Sequence, residues 1–286
     1  MDLLKNKLFT VFSFSFFWAV CIIANKAILN QGGHPFIVPT QIYLIGFLFL
    51  LALSHKKLSG FAKLSTKQRF YLLLTGLTIA GSVILGSYGL KLSSSINYGF
   101  LIKSTIIFAT LIGAFFFQEK LTKVKLGLLL LFLLGLYILT SQGEILIPHL
   151  GDILIFLAAL LAAISAALQK PVLKVGLSPL LLALSRVAIA GLCFLLAAPF
   201  VSQTFYIPKG GILLLLAGFS YGIYSYFLSK TLQLATLSYM TMMSMLTPVI
   251  VSILAFGFLG ETITAYHLFG GGLIILSGIG VQKFKL

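Results

Sequence analysis

Two cationic side chains lie inside apolar stretches of this sequence, where a charge is costly. Lys103 lies about eight residues into the apolar run 96–117, which is about 12 Å along a helix that rises 1.5 Å per residue. Arg186 lies about a turn and a half into the run 180–201. A charge at the centre of a membrane helix costs about 2.5 to 3.5 kcal/mol, so a compensating partner, cavity or ligand is expected. An ammonium or guanidinium in such a place is suited to binding a carboxylate or a phosphate.

Each cation also has a purely structural interpretation. A lysine stem can extend along its helix until the ammonium reaches the lipid headgroups, and Arg186 is close enough to one membrane face to be an interfacial anchor. The five acidic residues lie near the termini or at helix ends: Asp2, Glu119, Glu144, Asp152 and Glu261. None is an obvious partner for Lys103 inside the membrane. The sequence therefore favours a water-filled cavity in which Lys103 binds an anionic group, and it leaves Arg186 open between an inner-gate or anion contact and an anchor.

Aromatic and amide side chains are candidates to share this cavity with the two cations. They are Trp18, Asn25, Gln41, Asn97, Tyr98, Tyr221 and Tyr239. Trp18 is the single tryptophan, and its ring is suited to stacking on a substrate cation or ring, although a lone tryptophan is also a common interfacial or packing residue. Asn97 and Tyr98 are expected nearer the outer mouth. All of these residues except Asn25 form, together with Lys103 and Arg186, the predicted substrate-binding set.

Pro248 is a candidate hinge. It lies within the apolar run 237–259, where it removes a backbone donor and frees a carbonyl in the preceding turn. That carbonyl needs another partner inside the membrane. The sequence leaves two interpretations open, a static kink and a hinge that flexes during transport.

The segments that carry these residues are apolar enough to cross a membrane. The chain is 59% hydrophobic and only 9% charged, whereas a soluble domain carries about 25% charge. Ten runs can span a hydrocarbon layer of about 30 Å: 8–29, 36–54, 70–90, 96–117, 124–141, 152–169, 180–201, 212–232, 237–259 and 266–281. Each is a continuous apolar block without the alternation of a barrel strand, so the sequence predicts an all-α integral membrane protein with ten transmembrane helices.

The positive charges indicate an orientation. The formal charge is +15, but Lys and Arg lie in the short gaps between apolar runs and form no nucleic-acid-binding face. If the N-terminus is cytoplasmic, the outer side receives only Lys26, Lys91 and Lys209, and nearly all other cations fall inside. The positive-inside rule then predicts a multi-pass protein of the cell (inner) membrane with both termini in the cytoplasm.

An internal repeat is visible in two aligned segments. The stretch NKAILNQGGHP, residues 25–35, aligns without a gap with QKPVLKVGLSP, residues 169–179. Identical residues fall at Lys26/Lys170, Leu29/Leu173, Gly32/Gly176 and Pro35/Pro179. The motif EKLT from Glu119 recurs as ETIT from Glu261 at nearly the same distance from the proline. We therefore predict a duplicated five-helix unit with halves 1–143 and 144–286.

An odd number of crossings in each unit inverts the second copy in the membrane. Inverted repeats are typical of transporters, in which two pseudo-symmetric halves rock around a site near the midplane. The fold expected from the sequence is thus two inverted five-helix repeats around a central cavity.

This organisation resembles the drug/metabolite transporter superfamily, in particular its EamA-type members. The resemblance rests on the ten helices in two halves, on Trp18 with Lys26 near the end of the first helix, and on the LTPV…LGET run between Leu246 and Thr262. It covers essentially the whole chain. It implies that the first, third, fourth, sixth, eighth and ninth helices surround the cavity and that the fifth and tenth are peripheral.

The halves depart from each other at two places. Alignment on the glutamates sets Ile106 against Pro248, and Gln41 lies near the position that matches Arg186. The two halves of the substrate site are therefore expected to be chemically unequal.

The sequence favours a secondary transporter, whether exporter, facilitator or exchanger, that moves a small polar metabolite by alternating access. An amino acid or related carboxylate-bearing solute is the first choice. A nucleotide-derived or phosphorylated metabolite is the alternative, and a non-transporting sensor or accessory protein is a further one. Expected partners are the substrate and the lipid bilayer, without nucleic acid, in a monomer or homodimer.

Enzymatic chemistry is disfavoured. Neither clustered carboxylates for a catalytic metal nor a His and Ser nucleophile arrangement is evident. There is no P-loop for ATP hydrolysis, and no metal or cofactor is expected. Since no Asp or Glu lies deep in an apolar run, proton coupling through a buried acid is also disfavoured, and facilitated diffusion or exchange fits better.

Overall fold

The computed structural model describes residues 2–117, 122–141, 149–201, 211–235, 237, 240 and 244–283. Its helices are α1 (Asp2–Asn30), α2 (Ile37–Ser54), α3 (Thr66–Leu92), α4 (Ser95–Leu101), α5 (Thr105–Phe117), α6 (Lys123–Ser141), α7 (Leu150–Lys174), α8 (Pro179–Ala197), α9 (Ile212–Leu234), α10 (Leu246–Leu259) and α11 (Ala265–Lys283). Short 3-10 helices follow α2 (His55–Lys63), join α4 to α5 (Ile102–Ser104) and follow α8 (Ala198–Phe200). The described part of the chain contains no strand.

These helices provide the expected membrane spans. Within the described ranges, 7 helical stretches are long and apolar enough to cross a membrane, and three shorter apolar helices lie at Leu126–Leu139, Leu246–Leu259 and Ala265–Gly280. Helices α4 and α5 together form the fourth span, Ser95–Phe116. Large apolar side chains such as Phe115 and Phe200 are 79% and 88% exposed, as expected of a surface that faces lipid. The all-α membrane architecture predicted from the sequence is confirmed.

Helix α7 is longer than the sequence predicts. The apolar run ends at residue 169, but the helix continues to Lys174 with Pro171 in its interior. The ammonium of Lys170 donates to the carbonyl of Leu232 over 3.1 Å and also to that of Ala235, at the C-terminal end of α9. Carbonyls at a helix C-terminus are favourable partners for a cation. The helix therefore continues past Lys170, although a lysine that follows an apolar run resembles a helix end in the sequence.

The matching lysine of the first half has the matching role. Lys26 Nζ donates to the carbonyls of Leu90 and Ser93 over 2.8 and 2.6 Å, at the C-terminal end of α3. In the first half α1 thus caps α3, and in the second half α7 caps α9. Glycines at the two aligned turns also match, because Gly32 and Gly176 both have a positive φ, of 97° and 89°.

The two lysine contacts lie at opposite ends of the bundle. Ser93, which binds Lys26, also donates to Oδ1 of Asp152 over 3.4 Å, and Asp152 lies in the first turn of α7. Lys170 lies near the other end of that same helix. Moreover, α3 packs along α7 just as α1 packs along α9. Exchanging the first half (α1–α6) with the second (α7–α11) therefore maps the α3–α7 interface onto the α1–α9 interface. The boundary between residues 143 and 144 stays a prediction.

Small residues bring the helices close together, as is usual where lipid supplies no apolar driving force. Between α3 and α7, Ser82 Oγ donates to the Ala158 carbonyl over 2.7 Å and Ser165 Oγ to the Thr75 carbonyl over 3.0 Å. Helices α6 and α11 pack against each other.

Candidate functional site

A cavity of about 90 Å³ is lined by residues of both halves of the bundle. Its lining comes from α1, α3, the α4–α5 span, α7, α9 and the segment before α10, which are the six spans implied by the family resemblance. Helix α8, the seventh span, adds Arg186. The described side chains of α6 and α11 do not contribute to this lining.

Lys103 points into this cavity. It is only 6% exposed, lies in the 3-10 turn Ile102–Ser104, and donates from Nζ to Ser244 Oγ over 3.1 Å. A side chain that extended to the headgroups would be exposed, so the snorkelling interpretation does not describe this lysine. Glu261 fixes the N-terminal start of the α4–α5 span, because its carboxylate oxygens accept from the backbone N–H groups of Ser95 and Ile96 over 2.9 and 3.1 Å.

Two helix breaks meet at this hydrogen bond. The first is the 3-10 turn that carries Lys103, and the second is the turn at Ser244 and Met245 just before α10. The alignment that pairs Ile106 with Pro248 also pairs these two turns with each other. Interrupted helices near the midplane are a recurring feature of transporter binding sites. Pro248 lies in the first turn of α10, where its missing N–H disturbs no helical bond.

Arg186 is more deeply buried than Lys103, at 2% exposure. One terminal nitrogen donates to Ser225 Oγ over 2.5 Å, and the guanidinium carbon lies 5.8 Å from the centre of the Tyr224 ring. Its Nε has no hydrogen-bond partner among the described residues. An interfacial anchor would reach the headgroups, so this position agrees with a cavity contact and not with an anchor.

Aromatic rings form one wall of the cavity. Trp18 stacks on Tyr224 with ring centroids 4.6 Å apart and an interplanar angle of 24°. Tyr221 lies beside them, 6.3 Å from Trp18 between centroids, and its hydroxyl is hydrogen-bonded to that of Tyr43. Tyr98 completes the wall.

This wall also borders a second, smaller cavity. Trp18, Tyr98 and Tyr221 line both the 90 Å³ cavity and a space of about 30 Å³ that reaches Asn25. The two spaces are therefore adjacent and share this aromatic wall.

The structure brings most of the predicted site residues together. Lys103, Arg186, Trp18, Tyr98 and Tyr221 line the cavity. Sequence reasoning missed Tyr224 and Ser225. The signal for Tyr224 was present, since it follows Tyr221 by three residues and shares its helix face.

Two of the other predicted residues, Gln41 and Asn97, lie outside the lining of the 90 Å³ cavity. Gln41 is buried but lines neither of the two cavities. Asn97 lies outside the lining, with its Oδ1 3.0 Å from Nε2 of His267 in α11. Tyr239 lies outside the described residues.

The cavity is electropositive. Among the described residues no Asp or Glu lines it, so Lys103 and Arg186 have no carboxylate counter-charge there. The described residues also include no group of three or more His, Cys, Asp or Glu side chains that could hold a metal ion. An ammonium, a guanidinium and aromatic faces around one space can bind an anionic group together with an apolar or cationic body.

Comparison with known proteins agrees with this architecture. The sequence profile of the EamA-like transporter family matches residues 6–141 and again 149–281. Among solved structures 28 chains match. One of them, described only as "Crystal structure of protein", superposes with a TM-score of 0.71 at 15% identity, covering 95% of this chain and 98% of the other, and shows a shared fold. A comparison with curated proteins gives no match.

The predicted family resemblance is confirmed by a match that spans both halves. Members of this family are transporters and not enzymes. The chain belongs to the EamA-like transporter family and is a multi-pass membrane transporter of small solutes.

Proposed function

We propose that this transporter moves a small polar solute with an anionic group, and that the Lys103 and Arg186 side chains bind that group. The observation that carries the proposal is the presence of two buried cations on one cavity without a carboxylate from the described residues. An amino acid or related carboxylate-bearing solute is the first candidate.

The energetic reason is the cost of uncompensated buried charge. A buried ion without a partner is strongly unfavourable, whereas a carboxylate brought by the substrate gives each cation a counter-charge. A guanidinium can bind such a group through two parallel N–H donors. Within the described part of the chain the Nε of Arg186 has no hydrogen-bond partner and is available for this purpose.

The aromatic wall supports an amino acid over a simple carboxylate. The ammonium of a zwitterion is attracted by the face of an aromatic ring. Trp18, Tyr221 and Tyr224 offer such faces beside the two cations. Tyr239, Gln41 and Asn97 remain part of the predicted binding set, with no support from the lining of the cavity.

A phosphorylated or nucleotide-derived metabolite is the second candidate. Two cations on one cavity match a doubly charged phosphate, and a nucleobase could stack on the aromatic wall. Family membership argues against the third interpretation, a sensor or accessory protein without transport.

The proposed mechanism is alternating access around the paired helix breaks. Rocking of one half against the other would open the cavity to one side at a time, with the turn before Pro248 flexing as a hinge. Facilitated diffusion or exchange is the proposed energetic mode. Of the described acidic side chains, Asp152 and Glu261 lie at helix ends away from the cavity, which gives no support to a buried carboxylate as proton carrier.

The proposed setting is the inner membrane, with both termini and the lysine-rich loops in the cytoplasm. The protein is proposed to act as a monomer or homodimer, with functional halves 1–143 and 144–286.

Counterflow in proteoliposomes tests this proposal. Vesicles are loaded with one unlabelled solute from a panel of amino acids, dicarboxylates, sugar phosphates and nucleotides, and uptake of its labelled form is measured. We expect saturable counterflow of at least one anionic solute, which Lys103→Met abolishes and the control Lys123→Met, at the start of α6, leaves intact. Counterflow restricted to neutral or cationic solutes, or unaffected by Lys103→Met, would overturn the proposal.

A further inference from the structure

A second recess lies at the lysine-rich end of the bundle, away from the central cavity. It has a volume of about 440 Å³ and opens between the 3-10 helix His55–Lys63 and the turn 175–178 that joins α7 to α8. We call it the basic recess. Its residues include three exposed lysines, Lys56, Lys57 and Lys63.

The charge of the basic recess is entirely positive. Within the described part of the chain no acidic side chain lines it. Two more cations, Lys67 and Arg69, follow at the start of α3. Several lysines and arginines next to a membrane helix attract the anionic headgroups of lipids, and this attraction increases with each added charge.

The recess also provides space and donors. Three ammonium groups can each donate up to three hydrogen bonds, and the hydroxyl of Ser59 lies in the same lining. The turn opposite contains Gly176, whose positive φ of 89° favours glycine. A Cβ placed on this residue would meet no atom within 4 Å, so there is open space beside the turn. A compact tetrahedral anion can therefore enter between the two walls.

The apolar surroundings favour a lipid over a soluble anion. Leu64, Leu177 and Leu181 are buried at the base of the recess, while Leu58 on the same 3-10 helix is 39% exposed. A short helix with lysines on one side and apolar residues on the other is suited to lying at the headgroup level of a bilayer. We propose that the basic recess binds the phosphate-bearing headgroup of an anionic phospholipid.

Such a lipid would connect the two halves. The 3-10 helix belongs to the first half, and the turn 175–178 and α8 belong to the second. The 3-10 helix lies close to α8, since a Cβ on Gly60 would lie 2.6 Å from Leu181 Cδ1. A headgroup bound to both walls would stabilise the arrangement in which these two walls lie side by side. Lipid composition would then influence the transporter from a site separate from its substrate cavity.

The test compares lipid retention in two variants of equal charge. In the recess variant, Lys56, Lys57 and Lys63 are changed to Gln; in the control variant, Lys123, Lys125 and Lys283 are changed to Gln. The full chain is purified from bilayer nanodiscs that contain phosphatidylcholine with phosphatidylglycerol, and bound lipids are measured by native mass spectrometry. We expect the wild type and the control to retain phosphatidylglycerol in preference to phosphatidylcholine, and the recess variant to bind it about 100-fold more weakly.

A third variant, with the same three lysines changed to Arg, separates charge from folding because it keeps the charge and is expected to keep the lipid. Equal retention by the recess and control variants would overturn the proposal. A further experiment distinguishes a lipid from a soluble phosphate. The thermal stability of delipidated protein is measured with inorganic phosphate, glycerol phosphate or phosphatidylglycerol. If either soluble phosphate raises the stability as much as phosphatidylglycerol does, the lipid assignment is wrong. None of these measurements depends on transport, so their outcome is independent of whether the proposed function is correct.

Discussion

Lys103 and Ser244, which belong to different halves of the chain, meet through a hydrogen bond of 3.1 Å between Nζ and Oγ. Lys103 lies in the 3-10 turn of the fourth span, and Ser244 lies in the turn that precedes α10. Because the two turns correspond in the internal repeat, this contact joins the halves at a pair of matched breaks beside the cavity. Rocking of the halves against each other would alter this contact directly.

Replacing Lys103 by methionine tests the role of its charge. Lys103→Met keeps a long side chain but removes the ammonium, so a bound anion loses one charge-assisted hydrogen bond, worth about 1.5 to 3 kcal/mol. We expect the affinity for the transported anion to fall about 10- to 100-fold, as measured by isothermal titration calorimetry in detergent. Lys103→Arg keeps the charge and should retain a measurable affinity; equal losses in both variants would point to packing and not to charge.

The buried charge of Arg186 is expected to lower the free energy of unfolding when no substrate is bound. Its guanidinium is buried with no carboxylate on the cavity lining among the described residues. Replacing buried charge by apolar groups is often neutral or stabilising. Arg186→Met should therefore unfold at the same or a higher temperature than the wild type without ligand, while losing the stabilisation that a bound anion gives. A clearly lower unfolding temperature without ligand would show that the arginine is a structural support.

The two capping lysines should behave alike. Lys26→Met leaves the Leu90 and Ser93 carbonyls without their ammonium partner, and Lys170→Met does the same at the end of α9. Leaving a buried acceptor unsatisfied costs about 1 to 3 kcal/mol, and these carbonyls are buried or partly buried. Both variants should lower the thermal unfolding temperature in detergent, whereas Lys91→Met, which removes an exposed charge near Lys26, should change it little. A destabilisation by only one of the two variants would contradict the matched roles of the halves.

Two glycines of α6 give a matched test of helix packing. A Cβ on Gly135 would lie 2.6 Å from the Gly270 carbonyl oxygen of α11, whereas a Cβ on Gly127 would meet nothing within 4 Å. Gly135→Ala should therefore destabilise the protein by about 1 to 3 kcal/mol through overpacking. Gly127→Ala should be neutral or stabilising by up to about 1 kcal/mol, because alanine is the better helix former. Equal effects on thermal unfolding would show that α6 and α11 do not pack as described.

Features that depend on local composition could be predicted from the sequence. Continuous apolar runs determine the membrane spans, and the alignment of Lys26 with Lys170 identified residues that make equivalent contacts. The burial of Lys103 was also predictable in outline, since it lies about eight residues into an apolar run.

Contacts between distant parts of the chain could not be predicted in this way. The partner of Asn97, His267, is 170 residues away in sequence, and nothing in either local pattern indicates the pairing. The continuation of α7 through Lys170 depends on carbonyls of α9, which only the folded bundle brings close. The break at Ile102–Ser104 contains no proline or glycine, so it has no signal in composition.

The central claim is that the transported anion binds in the cavity between Lys103 and Arg186. Trp18 reports on this directly, since it is the one tryptophan of the sequence and stacks on Tyr224 in the cavity wall. Fluorescence titration with the solute identified by counterflow should give a saturable change in emission, with an affinity at least about 10-fold weaker in Lys103→Met. An analogue that lacks the anionic group should give no change. Unaltered emission at concentrations that saturate transport, or equal affinities in wild type and variant, would contradict the assignment of this cavity as the substrate site.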